Sequence, residues 1–387
     1  MASRRNGFTA REVRRLFGAA VLAAMLSGCA SLSREDFSAD EAHRALPPLA
    51  ADIRFNAADE AAALAFTQRA QTERPGGDGQ VDVLAISGGG ADGAYGAGVM
   101  VGWTRAKTRP SFEVVTGVST GALIAPFAFL GPAWDGKLKE AYAGGLASQV
   151  LQGRGLGVLF ASSIYNPRHL RNLVEANCTP VMLHEIAQEH AKGRRLLIAT
   201  TNLDSQQTVV WDMGAIASRG GPDALKLFRE VLVASAAIPG VFPPVIIPIG
   251  EADGREIDEL HVDGGVTAPF VSIPEGLYFW DAPDQERQRS RIFVLINGKI
   301  DPTFAVVRGG APTILARAYD TMMKTNLRVH LAANRAFAER NGMEFSVSEI
   351  PREAESGSLN FQPESMKRLF KLGESRAVAG TAWTRLN

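Results

Sequence analysis

The sequence predicts an α/β protein: a three-layer α/β/α sandwich around a mainly parallel central sheet. Three observations carry that expectation. From residue 81 onward, short apolar runs of strand length alternate with longer segments of helical pattern. The runs VDVLAI (81–86), RLLIAT (195–200) and RIFVLI (291–296) are apolar at most positions, as strands buried on both faces must be. Between two such segments, GVSTG (117–121) joins a strand-like run to a helix-like one through a turn flanked by glycines.

The elements follow in order. Arg4, Arg5, Arg11, Arg14 and Arg15 precede the apolar run LFGAAVLAAMLSG (16–28), which ends at Cys29. A basic flank before a short apolar run is the pattern of an export signal. The run is well short of the roughly 20 residues a membrane-crossing helix needs. LSGC (26–29) resembles the lipobox of bacterial lipoproteins, and SRRNGF fits a twin-arginine signal poorly. The resemblance implies a signal peptide over 1–29, acylation of Cys29, and a protein anchored in the cell envelope. Ala30-Ser31, with no adjacent aspartate, implies the outer membrane of a Gram-negative bacterium. Residues 30–78 read as a polar tether with one helix near 59–70, and RPGGDGQ (74–80) marks the entry to the folded core.

The core, 79–300, is expected to hold strands at 81–86, 112–116, 195–200, 208–211 and 291–296, with helices at 93–107, 122–130 and 224–237. An extension, 301–387, contributes a long helix at 311–340 that covers the sheet. MKRLFKL (366–372) is basic and amphipathic. It suits a C-terminal helix packed on the core better than one lying on a bilayer.

Lys+Arg and Asp+Glu balance at 41 each, so the net charge gives no reason to expect nucleic acid. Once Cys29 carries lipid, Cys178 has no intrachain partner and no internal disulfide forms. No two of the six histidines stand at zinc-like spacing. No metal or other cofactor is expected, and no protein partner is inferable.

The chemistry concentrates in three places. ISGGGADGAYGAG (86–98) follows the first strand and brings Gly88, Gly89, Gly90 and Gly93 to the start of a helix. Such a backbone either cradles a phosphate or aims bare N–H groups at a charge that develops in a reaction. The dinucleotide fingerprint also fits these glycines, but it requires an acidic residue closing the second strand, where Gly117-Val-Ser119 stands instead. Gly117-x-Ser119-x-Gly121, between strand and helix, is the pattern of a nucleophile elbow, although a serine N-cap of an ordinary helix has the same look. His261-Val-Asp263-Gly264-Gly265 supplies a carboxylate able to act as general base, and Asp-Gly is equally a hairpin signal.

Taken in order, the three motifs resemble the patatin-like phospholipases, lipid acyl hydrolases that use a Ser–Asp dyad. The resemblance runs from about residue 81 to 265, with ATTNLDSQQTVVW (199–211) and ASAAIPGVFPPV (234–245) as further matching segments. It implies Ser119 as nucleophile, Asp263 as base, and an oxyanion hole from Gly88, Gly89, Gly90 and Gly93, with a membrane lipid as substrate. Two departures stand out. Asp92 occupies a position where the family usually has Arg or Lys, and it is expected to face solvent. Thr267-Ala268-Pro269 replaces the more usual Asn-x-Pro. His261 and the other histidines are expected to be structural. A different class of function, an envelope lipoprotein that keeps the fold as a lipid-binding or scaffold module, remains open, with Asp92 as the sign of a damaged loop.

Overall fold

A computed structural model of the protein describes residues 34–45, 53–73, 80–145, 147–149, 167–281 and 290–386. The signal peptide, the lipobox and Cys29 lie outside the described residues.

Ten strands form one sheet: β1 (Arg54–Asn56), β2 (Val81–Ile86), β3 (Val114–Val118), β4 (Arg195–Asn202), β5 (Gln207–Asp212), β6 (Val245–Ala252), β7 (Arg255–Asp263), β8 (Ser290–Leu295), β9 (Glu344–Ser348) and β10 (Thr384–Arg385). The apolar runs expected to be strands make its centre, in the order β4-β3-β2-β8-β9, all parallel. Leu84 pairs with Val115 on one side and Phe293 on the other. The margins differ from the expectation and make the sheet mixed. β5 and β1 continue it antiparallel beyond β4, β10 does so beyond β9, and the β6–β7 hairpin joins at β4. The reason is connection length. Only four residues join β4 to β5, and Asp253-Gly254 joins β6 to β7 with both residues at positive φ. Loops that short permit only antiparallel neighbours.

The helices are α1 (Ala39–Arg44), α2 (Glu60–Thr72), α3 (Gly93–Arg105), α4 (Thr120–Leu130), α5 (Asp135–Ala143), α6 (Pro167–Asn177), α7 (Pro180–Ala191), α8 (Met213–Arg219), α9 (Gly221–Ser235), α10 (Ala311–Arg340) and α11 (Pro363–Val378). Alternate residues of each central strand face opposite layers. In β2, Leu84 and Ile86 join a core built with α3, α4, α5, α7, α9 and α11, whereas Val83 and Ala85 join one built with Leu327, Leu331 and Phe337 of α10. The sandwich therefore has helices on both faces of the sheet, as expected. Among the described residues no helix is long and apolar enough to cross a membrane.

Two segments do more than their sequences suggested. The tether contributes β1 at one edge of the sheet, and the extension adds β9 and β10 at the other. The extension also backs the first helix. A Cβ added at Gly98 would lie 2.0 Å from the Phe370 carbonyl oxygen, and one at Gly102 would lie 2.4 Å from that of Glu374. α3 and α11 thus touch backbone to backbone, and Met366, Leu369 and Phe370 are buried there. The amphipathic segment 366–372 packs on the core.

Candidate active site

The turn after β3 places Ser119 at φ 56°, ψ −124°, a left-handed backbone that costs a residue with a side chain about 1–3 kcal/mol. The glycines beside it make the turn fit. A Cβ at Gly117 would meet the Gly121 carbonyl at 2.5 Å, and one at Gly121 would meet that of Ile86 at 2.2 Å. The strand end, the turn and the first turn of α4 therefore fold tightly against β2, with the helix N-terminus opening at the serine. Ser235 locks the arrangement. Its hydroxyl accepts the Ser119 amide at 3.0 Å and donates to the Ala199 carbonyl at 2.7 Å.

Asp263 arrives at the same place from β7, which pairs antiparallel with β4 in the register Thr200↔Asp263. Gly264 allows the approach, since a Cβ there would lie 2.4 Å from the Ala199 carbonyl oxygen and 3.2 Å from Val118. The Ser119 hydroxyl faces the Asp263 carboxylate closely enough to draw its pKa down. Oδ1 of Asp263 accepts the Gly265 amide at 2.8 Å. Both residues are buried, at 5% and 3% exposure. Burial pushes the Asp263 carboxyl up to about 7, against the pull of the Ser119 hydroxyl and the Gly265 amide. A carboxylate so placed is a base matched to neutral pH.

The four loop glycines divide into two pairs. The Gly88 amide donates to the Pro269 carbonyl at 3.1 Å, and the Gly93 amide donates to the carbonyls of Gly90 and Ala91. Neither is available to an oxyanion, which corrects the expectation of four donors. The amides of Gly89 and Gly90 have no acceptor among the described residues. Both glycines have positive φ, 156° and 56°, and both stand against backbone. A Cβ at Gly89 would lie 1.9 Å from the Asn297 carbonyl oxygen, and one at Gly90 would lie 2.1 Å from that of Ser358. Gly88 packs on the Ser119 side chain, so the loop and the nucleophile share one wall.

Asp92 does not face solvent. It is 5% exposed, and its Oδ1 accepts the Gly357 amide at 2.8 Å. The segment around Gly357 folds against the glycine loop and covers Asp92. Burial pushes the Asp92 carboxyl up to about 7, with the Gly357 amide and then Lys299 and Lys324 drawing it down. Thr267-Ala268-Pro269 likewise has a structural task. Thr267 bonds Thr201 at 2.9 Å and Thr208 at 2.7 Å, while Pro269 holds Gly88.

Sequence reading missed two residues. Ser235 ends α9 with nothing to mark it. Asn297 fixes the loop's entry, its amide donating to Ser87 Oγ at 2.9 Å and its Nδ2 to the Ser87 carbonyl at 2.8 Å. Its only signal was Asn-Gly after a strand, which reads as a turn.

His261 is committed elsewhere. Trp211 Nε1 donates to Thr200 Oγ1 at 2.8 Å, leaving that hydroxyl to donate to His261 Nδ1 at 2.9 Å. Nε2–H then donates to Glu259 at 3.0 Å, and Glu259 is paired with Arg54. Burial holds His261 below its usual pKa, and both ring nitrogens are occupied. It offers Ser119 no base. Beside the serine lies a small cavity, about 30 Å³, with mostly apolar walls that include Leu123, Leu170, Leu173, Ile238, Phe242 and Phe361.

Comparison with known proteins places these residues. The crystal structure of VipD from Legionella pneumophila matches at 12% identity, over 80% of this chain and 68% of VipD, with a TM-score of 0.41. That of the type III effector protein ExoU matches at 13% identity, over 79% of this chain and 55% of ExoU, with a TM-score of 0.29; the chain spans about half of ExoU's length. No curated protein sequence matches. Ser119, Asp263 and the glycine loop all fall within residues 84–272, which match the family model for patatin-like phospholipase, so the chain carries a patatin-like phospholipase domain.

Proposed function

We propose that the protein is a serine acyl hydrolase that cleaves carboxylic esters of membrane lipids. Lipid hydrolase activity is what the family match supports. The dyad is the finer reading, and one observation carries it: a serine held in a strained turn faces a buried carboxylate whose other partner among the described residues is the Gly265 amide. Asp263 takes the Ser119 proton as the oxygen attacks the ester carbonyl. The amides of Gly89 and Gly90, with the N-terminus of α4, receive the oxyanion. Protonated Asp263 then donates to the leaving alcohol. Water enters, gives its proton to Asp263, attacks the acyl-enzyme and frees the acid. The proposal extends to an anchor, acylated Cys29, whose support is the basic flank, the short apolar run and LSGC.

The test treats the full chain, solubilised in detergent, with a fluorophosphonate ester, followed by peptide mapping. One adduct on Ser119, lost in Asp263→Asn, is the expected result. No adduct beside a labelled control hydrolase overturns the reading. For the anchor, protein recovered from cells is weighed intact, and an unmodified N-terminus at Met1 rejects it.

A further inference from the structure

The most conspicuous surface feature outside the site is apolar. Phe304 and Val306 are 91% and 80% exposed, and Ile314, Leu315 and Met322 stand at 53%, 69% and 69%. On α10 Leu315 and Met322, seven residues apart, return to one face. That face is bare, whereas the neighbouring face of the same helix covers the dyad. A Cβ on Gly265 would lie 3.0 Å from the Met323 methyl carbon. The Tyr319 phenol is pushed above its usual pKa by burial and by the Asp263 carboxylate. Charge adds a second observation. From residue 302 to 319 the chain carries Arg308 and Arg317 and no Asp or Glu. The next acid, Asp320, is contacted by Arg317 and Lys324, each at 3.3 Å. An apolar surface that carries Arg308 and Arg317, with the flanking Asp301 and Asp320 each paired to a cation, suits one partner, an anionic bilayer, where burial of side chains and attraction to headgroups act together.

We propose that the loop 302–310 and the outer face of α10 dock the protein on an anionic phospholipid bilayer. Phe304, Val306 and Leu315 enter the acyl boundary and Arg308 meets the headgroups. The helix that roofs Asp263 is thereby held against the source of the ester. This rests on the lipid-ester reading of the site. The basic, amphipathic segment 366–372 has Met366, Leu369 and Phe370 in the core and takes no part.

The experiment uses the full chain with Cys29→Ser and Cys178→Ser. An environment-sensitive fluorophore is placed at Phe304→Cys or, as control, at Val181→Cys on the opposite layer. Vesicles of phosphatidylcholine are added with and without phosphatidylglycerol. The expected result is a blue shift at 304 that needs the anionic lipid, with none at 181, so the local probe reads this face whatever the N-terminal apolar run does. No shift at 304 overturns the proposal, and so does a shift in buffer that grows with protein concentration, because a second copy then covers the face. An equal shift on neutral vesicles overturns the anionic assignment. Phe304→Glu with Leu315→Glu is expected to lower hydrolysis of a vesicle-borne ester about tenfold, while labelling of Ser119 and hydrolysis of a soluble short-chain ester stay unchanged. An inserting probe without any hydrolysis leaves docking standing and rejects the enzymatic reading. Hydrolysis with a silent probe rejects docking alone.

Discussion

The carboxylate of Asp92, within the glycine loop, accepts the amide of Gly357 from the C-terminal extension at 2.8 Å. The tie is reciprocal, for the next amide, that of Ala91, donates to the Ser358 carbonyl at 2.8 Å. A loop inside the family domain is thus braced by residues well beyond 272, where the family match ends. Asp92 acts on the site by positioning. Asp92→Ala removes the acceptor and is expected to lower kcat about 10- to 100-fold, the range for losing a hydrogen bond to a charged group. Asp92→Asn retains a carbonyl oxygen for Gly357 and is expected to keep most of the rate. Equal losses in the two variants refute the positioning role.

The Asp263 carboxyl, raised to about 7, sets opposite pH trends for rate and for stability. The rate needs the ionised base, so labelling of Ser119 should climb through about pH 7 and then level off. Stability runs the other way. The folded pKa lies above the unfolded value of 3.8, so the native state holds the proton more tightly. The stabilisation is complete below pH 3.8 and is lost as pH rises to about 7. Asp263→Asn should cost about 10²- to 10⁴-fold in rate yet melt higher than the parent at pH 8, with the difference fading at pH 4. Asp92 rises to about 7 as well, so the profile is measured in Asp92→Asn, where Asp263 titrates without it. A rate that is flat from pH 5 to 9 there excludes Asp263 as the base.

Gly89 tests the oxyanion assignment. A methyl at this position would fall 1.9 Å from the Asn297 carbonyl oxygen, and the backbone φ of 156° is already costly for alanine. Gly89→Ala must therefore turn its amide away, and the expected loss is about 10²- to 10³-fold in kcat with KM little changed. A normal kcat would move the oxyanion donors elsewhere.

His261 is expected to matter for the fold and not for the reaction. His261→Ala leaves Glu259 without one of its partners in a buried setting. Burial works to raise the Glu259 carboxyl, but the hydrogen bonds from His261 and Arg54 outweigh it and bring it to about 2. The variant should lose about 1–3 kcal/mol of stability. Labelling of Ser119, corrected for the folded fraction, should match the parent. A selective loss of labelling would restore a histidine to the mechanism.

Sequence made the candidate reacting groups legible and left their supports hidden. GVSTG, the glycine run and DGG are contiguous, and each needs small residues at fixed offsets, so Ser119 and Asp263 stood out. The buried strands β2, β4 and β8 showed because parallel strands covered on both faces are apolar throughout. Ser235, Asn297 and Gly357 did not show, because each acts through hydrogen bonds to residues distant in the chain. Asp92 was misjudged for the same reason. Its surroundings are set by a segment more than half the chain away, and local pattern carries no trace of that contact. The antiparallel edges were hidden differently: β9 and β10 are short, and β1 lies in a polar stretch that reads as tether.

The crossing of α3 and α11 has a consequence in time. The glycine loop opens α3, the back of α3 rests on Phe370, Glu374 and Gly373, and Trp383, beyond α11, packs its ring against Trp103. A growing polypeptide presents Ser119 before any of those residues exists. The direction of the two amides is therefore set only once the segment that holds Phe370, Gly373 and Glu374 has been made and has packed on α3.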